Sequence, residues 1–225
     1  MAHTYEIEIK SLLGSEENAL SLKNKLIEIG EVEEIGRHSQ LNHYFNVPAD
    51  FSVLLENILP YIPKERRESL EQILEEGKSH SIRTRDADGM VLFVIKASLD
   101  SGTSDNTVSR IEFEETVDMT LQELDQLLLD SGFSYQAKWS RDREEYKFGD
   151  INITIDKNAG YGYLAEFEKI VDSENKIESA KQDLLDTMVQ LEVEELMQDR
   201  LERMFEHYNN NWMDYYGTDN IFIIK

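Results

Sequence analysis

Glu6, Glu8 and Lys10 stand at alternate positions near the start of the chain, with Tyr5, Ile7 and Ile9 interleaved. Residues two apart point to the same side of a strand, so the charges share one face and the apolar residues the other. The pattern recurs. Arg83 with Arg85, then Lys96, then Arg110, Glu112 and Glu114, then Arg141 with Arg143 repeat it along the chain. Asn152, Thr154 and Asp156 follow, and Glu166 with Glu168 ends the series. Arginine forks and lysine point charges suit phosphate oxygens, and carboxylates suit hard divalent cations such as Mg²⁺ or Mn²⁺. A face carrying both has the parts phosphoryl transfer requires, because bases and metal together spread the charge of the phosphates.

Strands must position these residues, and eight can be read from alternation and turn signals. They are Thr4–Ser11, Gln40–Val47, Ser81–Asp86, Met90–Ala97, Thr107–Val117, Lys138–Phe148, Ile151–Lys157 and Tyr163–Val171. Ala87-Asp88-Gly89 and Gly149-Asp150 are tight hairpin turns, and Leu99–Asn106 is polar and loop-like. Ser15 opens a helix whose apolar positions Ala19, Leu22, Leu26 and Ile29 recur at helical spacing until Gly30. Phe51–Ile62 and Pro63–Glu76 read as an inserted helical hairpin stopped by Gly77, and Thr120–Asp130 as a further helix before Gly132. After Asp172 the spacing is wholly helical, as one bent helix or two. Two regions are expected: residues 1–172, with the helical insertion at 50–77, and a C-terminal extension over 173–225. The aromatics of Asn209–Lys225 dock either on the domain or on a partner, and the Leu184–Phe205 series packs on the barrel or a dimer partner.

The predicted fold is α+β: an eight-stranded antiparallel β-barrel, or tunnel, with helices packed outside and the C-terminal helical extension. In an ordinary barrel the apolar strand faces turn inward and the charges meet water. Amphipathic helices on the outside need an apolar surface to cover. With them in place the apolar faces point outward and the charges line the interior, giving a wet tunnel with as many bases as acids.

Composition removes several alternatives. The chain has 225 residues, with 23 Lys and Arg against 46 Asp and Glu, a formal net charge of −23. Such a surface repels nucleic acid. The absence of cysteine excludes disulfides, thiolate metal sites and cysteine nucleophiles. No apolar run reaches the length of a membrane span, and a soluble cytoplasmic protein is expected. His3, His38, His43, His80 and His207 form no metal-site spacing.

Taken in order, these motifs resemble the CYTH family, the triphosphate tunnel metalloenzymes. Glu6-Ile7-Glu8-Ile9-Lys10 is similar to the family's Glu-x-Glu-x-Lys hallmark, and Gln40–Phe45 to its second strand. Ile82–Arg85, Phe93–Lys96, Arg110–Glu114, Arg141–Tyr146, Ile155-Asp156 and Glu166–Glu168 follow in register. The resemblance spans roughly Tyr5 to Val171. It implies an eight-stranded antiparallel tunnel in which Glu6, Glu8, Asp156, Glu166 and Glu168 ligate one or two metals. It also implies that Lys10, Arg83, Arg85, Lys96, Arg110, Arg141 and Arg143 grip a polyphosphate. Glu112 and Glu114 either reach metal or orient the arginines. Ala97 stands where the family often has glycine after the fourth-strand lysine, and Lys138 is an alternative to one of the nearby bases.

The first expectation is a hydrolase for a small-molecule triphosphate: inorganic triphosphate, thiamine triphosphate or a nucleoside triphosphate. Glu6, Glu8 and Lys10 would be at the catalytic centre, with Lys10 near the nucleophile. The alternative is an adenylate cyclase of the same family, and a third reading is a non-catalytic polyphosphate-binding module.

Overall fold

In the computed structural model residues 5–98 and 110–224 are described, Arg110 by its backbone alone. The expected residues Thr4 and Thr107–Ser109 and the loop at 99–106 lie outside them. In chain order the elements are β1 (Tyr5–Gly14), α1 (Glu16–Ile29), β2 (Val32–Asn46), α2 (Ser52–Ile58), α3 (Lys64–Glu76) and β3 (Lys78–Ala87). They continue with β4 (Met90–Ser98), β5 (Arg110–Thr116), α4 (Leu121–Asp130), β6 (Ser134–Phe148) and β7 (Ile151–Asn158). The last are β8 (Gly162–Val171), α5 (Ile177–Gln190) and α6 (Gln198–Asn211). The α+β class and the eight antiparallel strands are those expected. The strand order is β1-β8-β7-β6-β2-β3-β4-β5, with β1 and β5 as its end strands. Among the described residues no helix is long and apolar enough to cross a membrane.

The chain folds as two compact units. One holds the described residues up to Ser39 and from Ser140 onward; the other holds those from Gln40 to Trp139. In the first unit, Ile7 and Ile9 of β1, Ile153 and Ile155 of β7 and Phe167 of β8 form one apolar layer. Ala19, Leu22 and Leu26 of α1 and Ala180, Leu184 and Met188 of α5 cover it. Helix α1 begins where Ser15 accepts a hydrogen bond from the Asn18 amide, and it ends at Gly30 with φ of 75°. The C-terminal series forms two helices rather than one. The tail then docks on its own unit: Gly160 and Ile221 form a bridge, and Tyr215 and Phe222 pack with Tyr208 and Tyr161.

In the second unit the apolar layer is Ile82 of β3, Phe93 and Ile95 of β4 and Phe113 of β5. Leu54 and Ile58 of α2, Leu70 and Ile73 of α3, and Leu124 and Leu128 of α4 cover it. Helix α4 starts on a reciprocal capping box between Thr120 and Glu123. The expected helix at 51–62 ends at Ile58, and a 3-10 turn with Pro60 follows, since proline cannot donate to a continuing α-helix. Gly77 does stop α3, but not in the left-handed conformation: its φ is −69°. Glycine is needed there because a Cβ would run into the Ile73 carbonyl and the Ala97 methyl. Asp88 and Gly89 both have positive φ, 52° and 86°, the geometry that closes the β3–β4 hairpin.

In both units, therefore, helices cover the apolar strand faces, and the charged side chains of the strands lie on the opposite face. Phe167 is fully buried in the first layer. Phe167→Ala is expected to cost about 3–5 kcal/mol in urea unfolding of the protein.

Candidate active site

In the first unit the charged face is built by the pairing of β1, β8, β7 and β6. Glu8 lies directly opposite Glu168, and Lys10 opposite Glu166. Glu166 and Glu168 in turn face Thr154 and Asn152 on β7, and Asp156 faces Arg143 on β6. Lys10 pairs with Glu8 and lies 3.5 Å from Glu166. Asp156 is wholly buried and receives hydrogen bonds from Arg143 Nε at 2.7 Å, Arg143 Nη2 at 2.6 Å and Arg141 Nη1 at 3.0 Å. Arg143 also donates to Glu166 at 2.7 Å.

These bonds set the charge states. Burial alone would raise the Glu166 pKa, but Lys10, Arg143 and Arg141 outweigh it and hold the group well below the usual carboxylate range. Burial likewise opposes the Arg143 charge, and Asp156 and Glu166 more than restore it. The two groups thus favour each other's charged forms, Glu166 as an anion and Arg143 as a cation.

The second unit has its own charged face. Arg83 donates to the Tyr44 hydroxyl at 2.7 Å, and Arg85 donates to Asn42 at 2.8 Å and to Glu114 at 3.2 Å. Lys96 sits 3.3 Å from Glu112, which also lies 4.0 Å from Arg83. Burial works against the Arg83 charge, yet Tyr44, Glu112 and Glu114 together raise its pKa above the ordinary value. Glu112 and Glu114 are both engaged with bases. Lys138 is turned elsewhere, 3.6 Å from Asp125 of α4. The Arg110 side chain lies outside the described residues.

Among the described residues no group of three or more His, Asp or Glu side chains is gathered as a ready metal cluster. The reason is visible in the first unit: Lys10 stands between Glu8 and Glu166, and Arg143 between Glu166 and Asp156. Two buried side-chain atoms stand apart among those described: Arg83 Nε makes no hydrogen bond, and Glu8 Oε1 meets only the Lys10 ammonium. Both lie on charged faces. Glu8 Oε1 has only ionic contact with Lys10, and Glu6 makes no side-chain bond among the described residues.

The alternation extends to further residues. Glu145 and Lys147 continue the Arg141–Arg143 series at the same period, and Lys147 donates to Asn152 at 2.7 Å. Asn42 and Tyr44 carry no charge and could be assigned only from their register opposite Arg85 and Arg83.

Like charges directly opposite on paired strands repel. In metal-free protein, Glu168→Gln is therefore expected to raise stability by about 0.2–1 kcal/mol, read from urea unfolding with a chelator present.

Comparison with solved structures agrees with this architecture. The PH1819 protein of Pyrococcus horikoshii OT3 matches at 21% identity over 90% of this chain and 99% of its own, with a TM-score of 0.60. The PH1012 protein of the same organism matches at 19% identity over 84% and 91%, with a TM-score of 0.60. A candidate adenylate cyclase from Vibrio parahaemolyticus matches at 16% identity over 90% and 98%, with a TM-score of 0.59. At these identities the likeness is one of fold. No curated protein matches the chain in sequence. The CYTH domain profile, however, matches residues 4–200, most of the chain, and with the strand order and the charged faces it places this protein in the CYTH domain family.

Proposed function

We propose that this protein hydrolyses a small-molecule triphosphate with the help of a divalent cation, Mg²⁺ or Mn²⁺. One observation carries the reading: Glu8, paired with Lys10, lies directly opposite a second carboxylate, Glu168, on the neighbouring strand. Two facing carboxylates repel each other, and a cation shared between them relieves that repulsion. The oxygen donors fit a hard divalent ion, with Glu6 two residues along on the same face. When bound, such an ion supplies Lewis acidity toward phosphoryl oxygens.

The protein's own side chains do the rest. Lys10, released from Glu8 and Glu166, donates to a phosphoryl oxygen at the reacting end. Arg141 and Arg143 hold phosphate oxygens. Asp156 and Glu166, metal ligands by the family resemblance, are bonded to arginines, and in this reading they also hold the guanidinium planes in place. Arg83, Arg85 and Lys96 form a second phosphate-gripping set, with Arg83 Nε as an unspent donor. Because these donors are fixed before substrate arrives, little reorganisation is needed as charge shifts toward the leaving phosphate.

Product analysis tests the proposal. Purified protein with Mg²⁺ or Mn²⁺ is offered inorganic triphosphate, thiamine triphosphate and ATP separately. Orthophosphate release is expected, falling by at least about 100-fold in Glu8→Ala, since metal and charge stabilisation contribute several kcal/mol to such reactions. Cyclic AMP with pyrophosphate would instead identify an adenylate cyclase. Tight binding of triphosphate with no product would identify a binding module.

A further inference from the structure

Asp125 belongs to α4 and lies 3% exposed among the apolar side chains on the far side of the second unit's sheet from its arginines. Thr84 Oγ1 donates to its Oδ1 at 2.6 Å, and the Tyr135 hydroxyl donates to its Oδ2 at 2.7 Å. His43 Nδ1 lies 2.7 Å from the same Oδ2, and Lys138 Nζ 3.6 Å away. Burial would push the Asp125 carboxyl up, but His43, Thr84 and Tyr135 together hold it below the usual carboxylate value. None of these groups belongs to the phosphate-binding set, and a buried charge in an apolar layer is costly unless fully partnered.

Register links this cluster to the site. His43 and Thr84 are direct partners across β2 and β3, flanked by the pairs Asn42–Arg85 and Tyr44–Arg83. Successive side chains alternate across a sheet, so the central pair points to α4 and the flanking pairs to the charged face. A single carboxylate therefore fastens the middle of three consecutive pairs from behind. The two outer pairs are those in which Asn42 and Tyr44 hold the arginines. A slip of one residue would send both guanidinium groups to the wrong face.

We infer that Asp125 is a positioning residue for Arg83 and Arg85. Through His43 and Thr84 it fixes the β2–β3 register and the spacing of the two guanidinium groups for phosphates two or more units long. The ligand named here rests on the triphosphate reading of the same site; the positioning itself does not. Leucine or valine at all three positions would fill the core without a buried charge, so stability alone does not account for the cluster.

The test compares wild-type protein with Asp125→Asn and with the triple variant H43L/T84V/D125L. Three readouts are taken: thermal unfolding, the Nε–H signals of Arg83 and Arg85 in NMR, and calorimetric binding of inorganic tripolyphosphate. The triple variant is expected to keep its Tm, lose the dispersed Arg83 and Arg85 signals, and bind tripolyphosphate at least about tenfold more weakly, a change of about 1.4 kcal/mol. Arginine signals like those of wild type in a folded triple variant, or an unchanged Kd, would overturn the inference. If the triple variant does not fold, Thr84→Val decides by the same signals, with loss supporting the inference and retention overturning it. Wild-type protein that does not bind tripolyphosphate would overturn the triphosphate reading, while the arginine signals would still decide the positioning role.

Discussion

Helices in both units compete for the same commodity, an apolar sheet surface, and that constraint shapes everything else in the molecule. Each strand offers only one apolar face. Once α1 and α5 cover that face in the first unit, and α2, α3 and α4 in the second, the charged residues are left with the opposite side. The usual arrangement of a half-buried antiparallel sheet puts solvent there. Here the opposite faces carry arginines, lysines and carboxylates that are only partly exposed, and most are bonded to one another.

That mutual bonding explains how so many charges tolerate confinement. A buried ion pair gains little net stability, because desolvation offsets the attraction. What it does provide is fixed direction. Asp156 takes two donors from Arg143 and one from Arg141, and Arg143 reaches on to Glu166. Each guanidinium is thus aligned by a carboxylate before any ligand arrives. The same logic runs through neutral partners in the second unit, where Asn42 and Tyr44 hold Arg85 and Arg83. An overall charge of −23 repels anions at long range, so binding of a triphosphate as proposed would require the local clusters of bases to reverse the field.

How much of this was legible depended on whether a residue's neighbours were nearby in sequence. Strands β1, β7 and β8 alternate so regularly that their faces could be assigned from spacing alone, and Glu6 through Lys10 fell on the right one. The start of β2, Val32 to Ser39, was not recognised because its side chains are mostly exposed and carry no apolar alternation. The start of β6 was missed for a similar reason. Glu145 and Lys147 were within reach of the period-two rule. Asn42 and Tyr44 were not, because their importance comes from register with β3. Lys138 has the spacing of an alternative phosphate base, yet it turns to Asp125, a residue whose helical spacing marks it only as one more polar position on α4. Cross-strand register and helix-to-sheet contacts are tertiary facts, and the sequence pattern does not encode them locally.

The proposed hydrolysis requires a divalent cation between Glu8 and Glu168. Crystals grown with Mn²⁺ and tripolyphosphate, measured at the manganese absorption edge, would locate the ion without reference to activity. The account predicts an anomalous peak about 2.0–2.6 Å from carboxylate oxygens of both Glu8 and Glu168, the range for hard cations on oxygen, with Lys10 turned toward phosphate. A manganese ion bound elsewhere, with Glu8 still paired to Lys10 while tripolyphosphate occupies the protein, would contradict it.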